Sequence, residues 1–385
     1  MSSMGKEVKY PSAVGKADVL GKQTYDAQSI SEEKFLLEAA MKPVDSTLLE
    51  IGAVVDERWK VKQVLGAGCF GAVYEVTDLV LNVEQAMKVE LNSQDFRTLK
   101  MEVIVLKELT NIKARNCCHL YGVGGNESYN FIVMTEVGPS LMSLLESIGG
   151  NNPRKKKYFS LRSCLHLAIS CLQALEDLHF IGYLHRDIKP HNYAIGRDPD
   201  FRSVYMLDFG MCRKYIRDDG THKRARSNTC FRGTLYFASH LSLKGEEQSR
   251  RDDVWSWLFT IIYMMTGTLP WNHVKLTRQM SFLERRNAFS ESKQKIMENP
   301  DLLMTGLPSE FRAIIVHLNL LGYTDCPNYA YIYQMLMTVF RRNDYNFDMP
   351  LDWEPQGDLH QMTLAAPVHN MMPHVANSES REKET

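Results

Sequence analysis

Two short stretches near the middle of the chain constrain what it can fold into more than any other feature. One runs from Tyr183 to Asn192 and reads Tyr-Leu-His-Arg-Asp-Ile-Lys-Pro-His-Asn, and Asp208-Phe209-Gly210 follows it. Phosphoryl transfer needs an aspartate that accepts a hydroxyl proton, here Asp187, and oxygen ligands for a divalent cation, here Asn192 and Asp208. A lone His-Arg-Asp tripeptide is typical of a solvated turn, so the prediction depends on the motifs that accompany it in order.

A glycine-rich stretch lies upstream and reads Gly66-Ala67-Gly68-Cys69-Phe70-Gly71-Ala72-Val73 between two apolar runs. This pattern predicts a strand, a loop and a second strand, in which Gly66, Gly68 and Gly71 let backbone amides approach a triphosphate. The stretch contains no Gly-Lys-Ser/Thr, which argues against a P-loop. A dinucleotide-binding fold would place a helix directly after the glycines, where this chain has another strand-like run.

Lys88 stands in the apolar sequence Ala86-Met87-Lys88-Val89, where a cation needs an anionic partner. Apolar residues recur at close to helical spacing between residues 95 and 110, which places Glu102 beside the inward stripe of a helix. We therefore predict an ion pair between Lys88 and Glu102. Either residue alone would be read as an ordinary exposed charge.

From Arg58 to Glu354, roughly three quarters of its length, the chain resembles the protein kinase superfamily. Within that superfamily it is most similar to the casein kinase one group and its tau-tubulin kinase branch. The resemblance implies an α+β, bilobal protein kinase fold with a β-rich small lobe and an α-helical large lobe. Further motifs carry it: Lys100-Met101-Glu102-Val103, Val133-Met134, Phe231-Arg232-Gly233-Thr234, Arg251-Asp252-Asp253-Val254-Trp255-Ser256, Pro327-Asn328-Tyr329-Ala330-Tyr331 and Leu351-Asp352-Trp353-Glu354.

The resemblance also implies an activity and a set of site residues. The activity is transfer of the ATP γ-phosphate, with Mg²⁺, to serine or threonine hydroxyls of protein substrates. Asp187 would orient and deprotonate the hydroxyl, Lys189 would neutralise the transferred group, and Asp253 would anchor the catalytic loop. Lysine at position 189 is typical of serine/threonine kinases. The implied catalytic residues are Asp187, Lys189, Lys88 and Glu102, the metal ligands are Asn192 and Asp208, and the nucleotide-binding residues are Gly66, Gly68, Gly71, Val73, Ala86, Lys88, Met134, Glu136 and Val137, with a hinge from Thr135 to Gly138.

Basic residues crowd the segment between Arg213 and Arg232, which the resemblance identifies as the activation segment. This charge predicts acidic or already phosphorylated substrates, although a charge run is usually a solvated face. In one departure from the group, Tyr236 stands where relatives carry an anion-binding arginine, which argues against a primed-substrate pocket at that position. The candidate residues for anion recognition are Arg186, Arg213, Arg224 and Arg226.

Composition and segment pattern bound the domain organisation. A chain of 385 residues, 44% of them hydrophobic, is long enough for two lobes and tails. The expected organisation is an N-terminal extension over 1–50 with one helix over Ser31 to Met41, a kinase domain over 51–355, and a disordered tail over 356–385. The small lobe is expected at about 52–136 and the large lobe at about 139–355.

Charge and cysteine content bound the partners and the location. Lys plus Arg is 45 against 46 for Asp plus Glu, so nothing indicates a nucleic-acid partner. The eight cysteines form no Cys-x-x-Cys pair, which favours reduced thiols in a cytoplasmic or nuclear protein. No secretory signal begins the chain, and its most apolar run, Val254 to Met265, is too short to span a membrane. The sequence leaves the oligomeric state open.

Two alternative functions are compatible with parts of this pattern. A kinase-fold scaffold would bind partners without transferring phosphate, but such pseudokinases usually lack one of the residues present here as Lys88, Asp187 and Asp208. A lipid or aminoglycoside kinase would share the chemistry. It would not explain Gly233-Thr234, Asp253-Val254-Trp255-Ser256 or the basic segment.

Overall fold

The computed structural model describes residues 48–68, 71–92, 98–148, 157–227, 229–274, 277, 279–364 and 366. The helix predicted over Ser31 to Met41 and most of both tails lie outside the described residues, as do Cys69 and Phe70 of the glycine-rich stretch.

The small lobe is built on an antiparallel sheet of six strands in the order β1-β2-β3-β4-β6-β5. Successive side chains of a strand point to opposite faces, and neighbours such as Val73 and Tyr74 are both buried, so both faces of the sheet are covered. Trp59, Tyr74, Met87 and Phe131 form the centre of a small hydrophobic cluster on one face. The strands are β1 (Val54–Val55), β2 (Trp59–Gly68), β3 (Gly71–Asp78), β4 (Val83–Leu91), β5 (Leu120–Gly125) and β6 (Tyr129–Met134).

One helix, α1 (Thr98–Asn111), packs beside this sheet. Leu99, Leu106 and Leu109 are buried, as their spacing predicts, and so is Glu102. The helix begins where the Glu90 carboxylate accepts hydrogen bonds from the backbone amides of Thr98 (3.1 Å) and Leu99 (3.0 Å). A side chain of β4 therefore satisfies amides that every helix start leaves without partners.

The large lobe is mainly helical and surrounds α5, whose side chains are buried along most of its length. A capping box between Ser249 and Asp252 begins α5, and Gly267, at a φ of 72°, ends it. The helices are α2 (Leu141–Ile148), α3 (Leu161–Phe180), α4 (His240–Leu243), α5 (Arg250–Thr266), α6 (Phe282–Glu298), α7 (Glu310–Asn319), α8 (Tyr329–Arg342) and α9 (His360–Thr363). None of the described helices is both long enough and apolar enough to cross a lipid bilayer.

Two short two-stranded ribbons in the large lobe position the loops that contain Asp187 and Asp208. They pair β7 (Tyr183–Leu184) with β10 (Arg213–Lys214), and β8 (Tyr193–Ile195) with β9 (Val204–Met206). The loop between β7 and β8 contains Asp187, and the loop between β9 and β10 contains Asp208. A β-rich small lobe and a helical large lobe are thus present, as the α+β prediction states.

The C-terminal side of the domain differs from the prediction of a disordered tail from residue 356. Residues 356–364 are folded and include α9, which packs against α2 and buries Thr363. The His360 imidazole also bonds the Trp353 carbonyl oxygen. Because α2 lies far away in the sequence, the aperiodic local sequence gave no sign of this packing.

Candidate active site

The loop with Asp187 is anchored from below by Asp253, which is buried at the start of α5. Its two carboxylate oxygens accept hydrogen bonds from the backbone amides of His185 (2.7 Å) and Arg186 (2.8 Å). The His179 Nε2 atom lies 3.0 Å from the same carboxylate. Burial raises the pKa of Asp253, but the bonds from His179 and the loop amides outweigh it and hold the pKa below its ordinary value.

Both oxygens of the Asp187 carboxylate are engaged. Lys189 Nζ lies 2.7 Å from Oδ2, and the Thr234 hydroxyl donates to Oδ1 at 2.7 Å. Lys189 also donates to the Thr234 oxygen at 3.0 Å, which closes a triangle of three side chains. Burial alone would raise the pKa of Asp187. The Lys189 ammonium and the two hydrogen bonds have the larger effect and hold the pKa below its ordinary value, so the carboxyl is ionised at neutral pH.

The two predicted metal ligands flank the ribbon of β8 and β9, with Asn192 just before β8 and Asp208 just after β9. The Asn192 amide nitrogen donates to the Asp187 carbonyl oxygen (2.8 Å), which leaves the amide oxygen for a cation. Asp208 has a left-handed backbone (φ 61°), and its half-buried side chain lies with Oδ1 3.8 Å from Lys88 Nζ. Two oxygen donors fit Mg²⁺, which takes few protein ligands where phosphates supply the others. Among the described residues no cluster of three or more His, Cys, Asp or Glu side chains could hold a metal.

The ion pair predicted between Lys88 and Glu102 is present, with 2.5 Å between Nζ and Oε2. Burial lowers the pKa of Lys88, but Glu102 and Asp208 outweigh it and keep the pKa above its ordinary value. Glu90, two residues after Lys88 on β4, holds the start of α1. Strand β4 therefore carries both Lys88 and the Glu90 carboxylate, and Glu90 fixes the start of the helix on which Glu102 lies.

The residues predicted to contact a nucleotide base lie on one wall at the junction of the lobes. Val73, Ala86 and Met134 are buried there, and Ala86 pairs with Met134 across adjacent strands. Glu136 and Val137 follow β6 in the connection to the large lobe. The Glu136 carboxylate forms an ion pair with Arg197, a contact that the sequence does not suggest. Its backbone groups, which the resemblance assigns to the nucleotide, are separate from that pair.

Of the three glycines predicted beneath the triphosphate, Gly71 has the clearest steric requirement. A Cβ atom there would lie 1.8 Å from the Val89 carbonyl oxygen, so no other residue fits. Gly66 is paired with Val73 between β2 and β3, and Gly68 ends β2.

The four arginines predicted for anion recognition differ in burial and in their partners. Arg186 is largely buried and donates to the Met211 carbonyl oxygen, and burial together with the nearby Arg232 and Arg213 lowers its pKa to about 10. Arg213 and Arg226 both approach the buried Glu247, at 3.5 and 2.5 Å. Arg224 is exposed.

The Glu247 carboxylate bears on that prediction. It is bonded to Arg226 and neutralises part of the charge of Arg213, and the role of both arginines in anion recognition stays a prediction. Tyr236 makes edge contacts with the rings of Tyr263 (5.9 Å) and Phe289 (6.1 Å).

Several residues that build the site were missed by sequence reasoning. They are Glu90, Arg197 and Glu247, which gained no role, and Thr234, which was noted only as part of a motif. Each acts through a partner at least eight residues away, and the distances are set by the fold. Glu90 and Glu247 are buried and Arg197 is exposed, and neither their burial nor their partners can be read from the local sequence.

Comparison with known proteins identifies the class. A family model of the protein kinase domain matches residues 59–318, so the chain belongs to the protein kinase family and its bilobal fold is the kinase fold. It is also similar to a probable serine/threonine-protein kinase of Dictyostelium discoideum, 34% identical over 309 residues. The match covers 79% of this chain and 58% of that relative, so this chain corresponds to less than two thirds of the relative's length.

Proposed function

We propose that this protein is an ATP-dependent serine/threonine protein kinase that uses Mg²⁺. The observation that carries the proposal is the triangle of Asp187, Lys189 and Thr234, with Asn192 and Asp208 beside it and Lys88 facing Asp208. These groups are those that phosphoryl transfer requires, in an order and a spacing that fit.

Each residue has a role that follows from its surroundings. Bound ATP and Mg²⁺ supply the phosphoryl group and neutralise its charge. Asp187 would accept a hydrogen bond from the incoming hydroxyl and take its proton as the new oxygen–phosphorus bond forms, while the bond from the γ-phosphorus to the β–γ bridging oxygen breaks and ADP leaves. Because its pKa is lowered, the Asp187 carboxyl is ionised and can accept this hydrogen bond, which orients the hydroxyl.

The cations of the site act on the phosphates. Lys88, held by Glu102, is the group that orients the α and β phosphates. Lys189 lies against the reacting carboxylate, where an ammonium offsets the charge of the transferred group. Asn192 and Asp208 are the side chains that would hold Mg²⁺.

The finer family assignment and the acceptor preference form part of this proposal. Lys189, the Phe231-Arg232-Gly233-Thr234 stretch and Arg251-Asp252-Asp253-Val254-Trp255-Ser256 support a serine/threonine kinase of the casein kinase one group, most similar to the tau-tubulin kinase branch. The name of the Dictyostelium relative supports the serine/threonine assignment.

We also propose that acidic or phosphorylated sequences are preferred. Arg224 is exposed in the activation segment, and Arg186, Arg213 and Arg232 lie close enough together for their charges to affect one another. Arg226 contributes less, since it is paired with Glu247. A cluster of arginines favours an anionic partner.

Phosphate transfer measured on several acceptors tests the proposal. Wild type and Asp208→Asn are incubated with γ-labelled ATP and Mg²⁺, each with a serine/threonine/tyrosine peptide library, an aminoglycoside and lipid vesicles. The proposal predicts transfer by wild type to serine and threonine peptides, and little by the variant. Transfer to the sugar or lipid alone would contradict it, and nucleotide binding without any transfer would favour a scaffold.

A further inference from the structure

Lys293, on α6, is a charged side chain outside the proposed catalytic set, and its relative exposure is 0%. In the part of the chain that the structure describes, no carboxylate lies within ion-pairing distance of its ammonium. A buried, unpaired cation is costly unless other groups replace its hydration. The surroundings of Lys293 therefore need an explanation.

Three backbone carbonyl oxygens and three aromatic rings replace the missing carboxylate. The Lys293 ammonium donates to the carbonyl oxygens of Leu235 (2.9 Å), Tyr236 (3.0 Å) and Ala238 (2.6 Å), so each of its three N–H bonds has an acceptor. The rings of Trp271, Phe259 and Phe289 lie 4.4, 5.2 and 6.0 Å from it.

Burial holds the pKa of Lys293 well below its ordinary value. The three acceptors match the three N–H bonds of a protonated amine, and the negative ring faces also favour that form. A neutral amine has two N–H bonds and would lose one of these three hydrogen bonds.

The three carbonyls belong to the segment that directly follows Thr234, whose hydroxyl bonds Asp187. The Trp271 indole N–H adds a fourth bond, to the Tyr236 carbonyl oxygen at 2.9 Å. Residues 235–238 are therefore fixed from below by Lys293 and Trp271 and from one end by the catalytic carboxylate.

A protein substrate that brings a hydroxyl to Asp187 must place its neighbouring residues beside this segment. Two to four residues of extended chain span about 7–14 Å, the reach from the reacting residue to its neighbours. The carbonyls of Leu235, Tyr236 and Ala238 are turned inward to Lys293, so the partly exposed faces of Leu235 and Tyr236 are left for the substrate.

We propose that Lys293 is a positioning residue for the protein substrate: it holds residues 235–238 in the shape against which residues next to the phosphorylated serine or threonine rest. The inference depends on the proposed kinase activity. It assigns Lys293 to the acceptor and gives it no part in ATP binding.

The test compares Lys293→Met with Lys295→Met. Both lysines lie on α6, but Lys295 is exposed, so its variant controls for loss of a helix lysine. Methionine keeps the length of the side chain and removes its charge and donors. For Lys293→Met the KM for a peptide acceptor should rise about tenfold or more, with little change in the KM for ATP. Lys295→Met should match wild type in both constants.

A third variant keeps the result informative if Lys293→Met folds poorly. Lys293→Ala leaves space that n-propylammonium can enter, and this ion should lower the peptide KM again, whereas n-propanol should not. Hydrogen exchange at residues 235–238 should be faster in both Lys293 variants than in wild type.

The outcomes separate the inference from the function on which it rests. No transfer by wild type overturns the kinase proposal and the inference with it. Transfer by wild type together with an unchanged peptide KM in the folded fraction of Lys293→Met overturns the inference alone, even if the melting temperature falls. Unchanged hydrogen exchange at residues 235–238 overturns it as well.

Discussion

The Thr234 hydroxyl donates a 2.7 Å hydrogen bond to the Asp187 carboxylate and thereby joins the end of the activation segment to the catalytic loop. Lys189 bonds both residues, at 2.7 and 3.0 Å. A single displaced side chain would therefore alter the position of the proposed base and of the segment that receives the substrate. The coupling explains why the two loops, 47 residues apart, form one site.

Removing this hydroxyl gives the first prediction. Thr234→Val keeps the shape and removes the donor to Asp187, whereas Thr234→Ser keeps the donor. A hydrogen bond to a charged group contributes about 1.5–3 kcal/mol, so kcat/KM should fall roughly 10- to 100-fold in the valine variant. Steady-state kinetics with one peptide check this. Equal loss in the serine variant would show that the methyl group matters more than the hydrogen bond.

The Lys88–Glu102 pair gives a second prediction, on nucleotide use. Lys88→Ala should raise the KM for ATP and lower turnover by about 100-fold or more, because the cation facing the phosphates is lost. Glu102→Gln should have a smaller effect in the same direction, since the lysine remains but loses its ionic partner. Lys60→Ala, an exposed lysine on β2, is the control and should be unchanged. An effect of Lys88→Ala on the peptide KM alone would contradict the assignment.

Glu247 gives a prediction about pH and stability. Burial alone would raise the pKa of Glu247. The hydrogen bond from Arg226 and the charges of Arg213 and Arg226 outweigh burial, so the folded-state pKa lies below its ordinary value. Its stabilisation is thus complete above the unfolded-state pKa of about 4.3 and is lost as pH falls through the folded-state value.

Glu247→Gln removes that contribution. At pH 7 its free energy of unfolding should be lower than that of wild type by about 1–3 kcal/mol. The difference should shrink steadily as pH falls from 5 toward the folded-state pKa, and urea titrations at several pH values measure it. A difference that grows as pH falls would have the wrong sign for a carboxyl with a lowered pKa.

Substrate charge preference is best tested at Arg224. Replacing Arg226 with glutamate would place a second carboxylate against the buried Glu247 and would disturb the fold. Arg224 is exposed and has no such contact. Arg224→Glu should reduce kcat/KM for acidic peptides about three- to tenfold and leave basic peptides unchanged, with a smaller effect at high salt. Arg341→Glu on α8 makes the same charge change elsewhere and should have no such selectivity. Equal slowing of acidic and basic peptides would contradict electrostatic steering.

What the sequence could predict depended on whether a contact lies within a motif. Lys88 and Glu102 were paired from an unusual cation in an apolar strand and a helical stripe, and Asp253 was assigned its anchoring place by the resemblance. The contacts of Glu90, Arg197 and Lys293 could not be predicted in this way. Each joins an ordinary charged residue to a backbone or side chain that only the folded chain brings near.

The same limit applies to Arg226, because Glu247, the carboxylate bonded to it, lies 21 residues further along the chain. It also explains the one place where prediction and structure differ. The tail was predicted to be disordered from residue 356 because its sequence has no periodicity. The packing of α9 on α2 gives residues 360–363 their structure, and neither contact has a local signal.

The most direct test of the central claim is the single-turnover rate of phosphate transfer to a serine peptide by Asp187→Asn, with ATP affinity measured on the same samples. Asparagine keeps the shape of the side chain and cannot take the proton. We expect a nucleotide affinity within about threefold of wild type and a transfer rate lower by about 10²–10⁴. Transfer at the wild-type rate would contradict the assignment of Asp187 as the catalytic base.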